Sequence, residues 1–129
     1  MRVIDASALV KYFAKESGWR EVPRLIEEGV ASIELIVEGV ANALWKKVRL
    51  GEMEAEVALK LLEAIPRTVR IEPQAPLIPR AFEISLQYAI TVYDAIYIAL
   101  AESRGCELAT CDEKQARAAE RVGVAVLLL

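Results

Sequence analysis

Histidine is absent from these 129 residues, and cysteine occurs only twice. The first absence removes the side chain that ordinarily does acid–base work near neutral pH and most often ligates transition metals. The second leaves no disulfide framework. If the segment between Cys106 and Cys111 is a strand, the two stand ~16 Å apart, beyond bridging distance. Two thiols without histidine also make a poor zinc site. They read as small buried hydrophobes in a reducing compartment. Basic charge is short as well: 16 Lys and Arg face 19 Asp and Glu, a formal net charge of −3. That excludes a broad cationic surface of the kind that holds duplex nucleic acid by charge alone, so any nucleic-acid contact must be local. The small basic groups Lys46, Lys47, Arg49 and Lys114, Arg117, Arg121 read as solvated helix faces. No run of ~18 or more uncharged apolar residues occurs, and the opening MRVIDASALVKYF meets Asp5 too early for a secretory signal. The expectation is a soluble, cytoplasmic protein with no membrane role.

What is present is a chain 55% hydrophobic, enough for one core and a single domain over residues 1–129. Short apolar or β-branched runs at Arg2 to Ile4, Val30 to Ser32, Thr68 to Ile71, Glu107 to Thr110 and Val124 to Leu128 predict strands. Between them, 3.6-residue periodicity predicts helices over Ala8 to Lys15, Trp19 to Glu28, Leu35 to Leu50, Glu52 to Ile65, Leu77 to Tyr88, Tyr93 to Arg104 and Glu113 to Val122. Gly29, Gly51, Gly105 and Gly123 fall just past helical stretches, where a left-handed residue closes a helix. Pro73, Pro76 and Pro79 make Glu72 to Arg80 an extended connection. Alternating strands and helices predict an α/β fold: a three-layer α/β/α sandwich with a mostly parallel sheet of about five strands.

Against this apolar background four acids stand out: Asp5, Glu38, Asp94 and Asp112. Each has an ordinary explanation. Asp5 or Ser7 suits a helix cap, Thr91-Val-Tyr-Asp94 has the form of a capping box, and Asp112 with Gln115 forms another. Glu38 shares a stripe with Glu34 and Asn42 on one helix, which solvent exposure would explain. Yet Asp5 and Asp112 follow the first and fourth strands, and in parallel sheets ligands bind beyond the carboxyl ends of the strands. Carboxylates converging there repel one another unless a cation intervenes. Oxygen ligands without histidine or thiolate suit Mg²⁺ or Mn²⁺.

Four segments carry a family resemblance in register: Val3-Ile-Asp-Ala-Ser-Ala-Leu-Val-Lys11, Val37-Glu-Gly-Val-Ala-Asn-Ala-Leu44, Thr91-Val-Tyr-Asp-Ala-Ile-Tyr-Ile-Ala-Leu-Ala-Glu102 and Leu108-Ala-Thr-Cys-Asp-Glu-Lys114. Together they resemble a PIN domain, most closely the VapC-type toxins. The resemblance implies a metal-dependent ribonuclease with catalytic and metal-binding Asp5, Glu38, Asp94 and Asp112. It also implies supporting polar roles for Ser7, Asn42 and Thr110, a homodimer, and restraint by a small antitoxin protein. Gly39, where a Val or Leu is usual, departs from the pattern and is expected to loosen its helix.

The expected chemistry is endonucleolytic hydrolysis of single-stranded RNA by metal-activated water, leaving 5′-phosphate and 3′-hydroxyl ends. Two rivals stand beside it. One is a catalytically idle PIN-like module that binds RNA or protein. The other is an Mg-dependent aspartyl phosphotransfer domain, weakened because Ser7 stands where a second strand-end Asp is wanted and the third strand runs into Glu72-Pro73.

Overall fold

The computed structural model describes residues 1–129. Strand β1 (Arg2–Ile4) lies at the centre of a five-stranded sheet of order β3-β2-β1-β4-β5, with β2 (Val30–Ile33), β3 (Arg70–Glu72), β4 (Leu108–Thr110) and β5 (Val126–Leu128). Every pairing is parallel, with Val3 opposite Ala31 on one side and Leu108 on the other. The strands are short and β2 and β4 are wholly buried, which is why they read as continuous apolar runs rather than alternating ones. Seven helices join and cover the sheet: α1 (Ala6–Phe13), α2 (Val22–Glu28), α3 (Leu35–Arg49), α4 (Ala55–Thr68), α5 (Ile78–Tyr88), α6 (Val92–Arg104) and α7 (Glu113–Val122).

The chain thus has the predicted three-layer α/β/α arrangement. Helix α1 packs on α2 and α3, and α3 on α4, while α5 and α7 each pack on α6. Helix α6 is apolar nearly all round, so it is the helix buried against β1, β2 and β4, with Ala95 to Ala101 in the core. No single helix is long and apolar enough to cross a membrane.

The differences from the sequence reading have local causes. Helix α1 begins at Ala6 rather than Ala8 because Asp5 caps it, and it ends at Phe13 because Lys15 is left-handed at φ 52°. Trp19–Glu21 is a 3-10 turn, and α2 starts only at Val22, where Pro23 fits a first turn that needs no N–H. Helix α3 stops at Arg49, one residue early, and α4 starts at Ala55 rather than Glu52. Helix α4 also runs through Pro66 to Thr68, as the Thr68 hydroxyl and the Val69 N–H satisfy the carbonyls of Ala64 and Ile65. Strand β3 is displaced accordingly to Arg70–Glu72, β4 and β5 are trimmed at their starts, and β2 gains Ile33. The expected extended connection over Glu72 to Arg80 instead holds a 3-10 turn at Ala75–Leu77 and the first turn of α5, with Pro79 inside it. The glycine signals hold, with Gly29, Gly51, Gly105 and Gly123 all at positive φ.

Gly39 does not loosen α3. A Cβ there would lie 2.9 Å from Ala6 Cβ, so the missing side chain is what lets α3 close on the start of α1.

Candidate active site

Strand order reverses between β1 and β4, since the chain leaves β1 toward β2 and later returns to pair β4 on its other edge. The carboxyl ends of these two strands form the crevice in which such sheets bind ligands. Asp5 immediately follows β1, and its side chain is buried at 4% exposure. Its Oδ1 accepts from the Ala8 N–H at 3.0 Å, closing the first turn of α1, and from Ser7 Oγ at 2.7 Å. Its Oδ2 accepts from Thr110 Oγ1 at 2.5 Å. Burial pushes the Asp5 carboxyl above its usual range despite these three donors, and the charge of Asp112 adds to the effect.

Ser7 and Thr110 serve the backbone as well as Asp5. Ser7 Oγ accepts from the Cys111 N–H at 3.0 Å, and Thr110 Oγ1 accepts from the Asp112 N–H at 2.9 Å. The two hydroxyls therefore lace the end of β4 to the start of α1. Asp112 caps α7 through the Gln115 N–H at 3.1 Å, so its capping reading holds, and it is half-buried beside the site. Asp94 lies in the first turn of α6, which Thr91 caps by accepting from the Asp94 N–H at 3.2 Å. The Asp94 carboxylate takes part in none of the ion pairs, so its charge is open to a cation. It is pushed up by burial and then by Asp112, with the Thr91 hydroxyl and Lys114 opposing.

Glu38 and Asn42 face solvent on α3, and no hydrogen bond joins them. Glu34, the third member of their stripe, is engaged elsewhere: its Oε1 accepts from the Gln74 N–H at 3.1 Å, while Gln74 Oε1 accepts from the Leu35 N–H at 2.8 Å. Glu38 is thus the acid of that stripe left to the crevice. Tyr97 lies in the field of three of these acids. Its buried phenol is pushed well above its ordinary value by burial and then by the charges of Asp5, Asp94 and Glu38, three acids from three separate elements.

Two contributors escaped the sequence reading. Tyr97 lies one turn beyond Asp94 on α6, a spacing that was available as a signal. Gln115, read only as half of a capping box, is buried and donates from Nε2 to the Asp94 carbonyl at 3.0 Å, clamping α6 to α7. Of the four acids only Asp5 is fully buried. As folded, no three acidic or thiol side chains stand close enough together to grip one ion. Both oxygens of Asp5 are turned to Ser7, Ala8 and Thr110.

The donor set nonetheless suits a hard divalent cation. All four charged groups are oxygen donors, and none takes part in the ion pairs of the molecule. The one nearby thiol, Cys111, is half-buried rather than buried, and burial and the Asp5 charge keep it protonated. An aspartyl phosphotransfer role fits poorly, because an acceptor carboxylate must be reachable and Asp5 is enclosed by its donors.

A family model described as "PIN domain" matches residues 2–121. The chain belongs to the PIN domain family. Among curated relatives of this PIN domain, Ribonuclease VapC3 of Pyrobaculum aerophilum is 32% identical over 88% of this chain and 91% of its own length. Exonuclease VapC9 of the same organism is 30% identical over 87% of this chain and 80% of its own. A crystal structure of a P. aerophilum protein superposes with a TM-score of 0.78 at 27% identity, covering 97% of this chain and 87% of that one. VapBC2 from Rickettsia felis, solved bound to a promoter DNA fragment, shares the fold at a TM-score of 0.71 and 11% identity, covering 99% and 98%.

Proposed function

We propose that this PIN domain is a divalent-metal-dependent ribonuclease that hydrolyses single-stranded RNA, acting as the toxin of a toxin-antitoxin pair. The observation that carries it is the unpaired acidic crevice at the β1 and β4 ends, in a chain whose relatives include a named ribonuclease. Asp5, Glu38, Asp94 and Asp112 are the groups that would hold Mg²⁺ or Mn²⁺. When bound, the cation supplies Lewis acidity, polarising a phosphoryl oxygen and acidifying a water. The rest of the work falls to this chain's own residues. Ser7 and Thr110 fix the Asp5 carboxylate, Gln115 holds the start of α6, and with it Asp94, against α7, and Asp112 keeps one oxygen on its cap and leaves the other to the crevice. Asn42 extends the same face of α3 as Glu38.

The unbridged cysteines agree with the reducing cytoplasm as the place of action. Two protein partners belong to the proposal: a small antitoxin, supported by the shared fold with VapBC2, and a second copy of this chain.

The test is incubation of the purified protein with single-stranded RNA, linear and circular, in Mn²⁺ and in EDTA. Cleavage in Mn²⁺ that stops in EDTA and in Asp5→Asn or Asp94→Asn is expected, with 5′-phosphate and 3′-hydroxyl ends. Activity that survives excess EDTA overturns it, and a 2′,3′-cyclic phosphate would make the RNA's own hydroxyl the nucleophile. The VapC9 relative favours one alternative, cutting from RNA ends, for which linear RNA would be degraded and circular RNA spared.

A further inference from the structure

Helix α3 continues outward from the crevice, and its exposed stripe carries more than Glu38 and Asn42. At 100° per residue, Trp45 and Arg49 fall on the same face, about 10 and 16 Å along the axis from Glu38. Trp45 is 53% exposed, and the Arg49 guanidinium lies 5.1 Å from its ring centroid. Basic charge at this end is also free. Lys47 is paired to Glu16 at 2.9 Å, whereas Lys46 and Arg49 join none of the ion pairs. Toward α1 the stripe borders a groove of about 320 Å³ whose polar lining is Asn42, Lys46 and Lys47 with the acids Glu16 and Glu52. The other tryptophan, Trp19, is half-buried, packed on Tyr12 and flanked by Lys15 and Arg20.

We propose that Trp45 and Arg49 form a stacking platform for one base of a single-stranded RNA whose backbone runs along α3 toward the acidic crevice. The proposal rests on the nuclease reading of that crevice. An anionic strand with planar bases matches what this surface offers: a ring face half open to solvent, an unpaired guanidinium over it, and an unpaired ammonium one residue away. It also answers an electrostatic difficulty, since four acids and a net charge of −3 repel a phosphate backbone and a local cationic, aromatic hold is required nearby. The ordinary alternative is an i,i+4 contact that merely steadies α3.

The experiment uses an Asp94→Asn protein in EDTA, so that a short mixed-sequence RNA stays intact, with Trp19→Phe leaving Trp45 as the sole tryptophan. RNA should quench Trp45 emission, and an abasic oligonucleotide of equal length should not. With Trp19 retained, Trp45→Ala should weaken binding about tenfold, Trp45→Phe should recover most of it, and Arg49→Gln should lower the salt slope by about one. Unchanged emission on binding, affinity unaltered in Trp45→Ala, or no RNA binding at all overturns the platform. Cleavage in Mn²⁺ by the protein with Asp94 intact separates the two claims. If it cuts RNA and Trp45→Ala binds and cuts equally well, the platform falls and the nuclease stands. If RNA quenches Trp45 but is never cut, the platform stands and the nuclease falls.

Discussion

Thr110 and Asp5 meet across the ends of two adjacent strands, with Thr110 Oγ1 donating to Asp5 Oδ2 at 2.5 Å while accepting from the Asp112 N–H at 2.9 Å. One buried hydroxyl therefore orients one acid directly and a second through its backbone. Thr110→Val keeps the shape and removes both bonds, leaving a backbone donor and a carboxylate oxygen unsatisfied. We expect a loss of about 1–3 kcal/mol in chemical denaturation. If Asp5 holds the cation, Mn²⁺ affinity by calorimetry should also fall about 10- to 100-fold. Unaltered stability and affinity together would show that Thr110 only fills space.

Asp94 carries a half-buried charge that joins no ion pair, so the metal-free site costs stability. Apo Asp94→Asn should unfold at an equal or higher temperature than apo wild type, while Mn²⁺ raises the midpoint of wild type far more. Asp5→Asn should not share the gain. The amide relieves the charge but cannot accept on both sides, and Thr110 would lose its acceptor. Asp94→Asn melting well below wild type in EDTA would contradict the crowding.

The pH dependence has a definite sign. Asp5 and Asp94 have folded pKa values raised above the ordinary 3.8, so the folded state holds their protons more tightly than the unfolded chain does. Their favourable contribution is complete below the unfolded pKa and is lost as pH rises through the raised folded values. Glu28 and Glu102, held low by Arg2 and Arg80, act oppositely, but they are common to wild type and Asp94→Asn. In EDTA, wild type should therefore lose stability relative to Asp94→Asn as pH climbs from about 4 toward neutral. Urea midpoints across that range give the comparison, and a gap moving the other way refutes the raised Asp94.

Self-association should use α5 more than α4. Helix α4 turns Ala58 and Ile65 inward and leaves Val57 and Leu59 as its large exposed apolar side chains. Helix α5 instead shows Ile78, Phe82 and Leu86 one above another at 38%, 54% and 72% exposure. Phe82→Glu should convert a dimer to a monomer by light scattering without altering the fold by circular dichroism. A dimer indifferent to that charge lies on another face.

Much of the architecture was legible because its signals are local. Asp5, Thr91 and Asp112 announce three helix starts, and four glycines mark ends. The parallel sheet follows from the alternation of strand and helix. What stayed hidden depends on contacts distant in sequence. Gln74 caps α3 from across the fold, Gln115 clamps the start of α6, and Tyr97 lies in the field of three acids. The four acids could be picked out and the exposed stripe of Glu38 read from its helical spacing, but that Asp5 would be buried could not, because its burial is set by which neighbours close over it.

Gly39 is the sharpest case of such a contact. By helix propensity alone, Gly39→Ala at mid-α3 should stabilise the protein by about 1 kcal/mol. The new methyl would lie 2.9 Å from Ala6 Cβ, a side chain with no freedom to move aside. Either α3 shifts off α1 or the backbone strains, at a cost of about 1–3 kcal/mol, so a net loss is expected. The displacement also carries Glu38, the adjacent residue, away from Asp5, and Mn²⁺ affinity should drop with stability if the two share an ion. Ala6→Gly is the compensating change, since it removes the methyl that is struck. The Gly39→Ala and Ala6→Gly pair should therefore be strongly non-additive in denaturation, with the double variant more stable than Gly39→Ala alone. Simple additivity would mean that the two helices do not depend on this contact, and that Gly39 is tolerated rather than required.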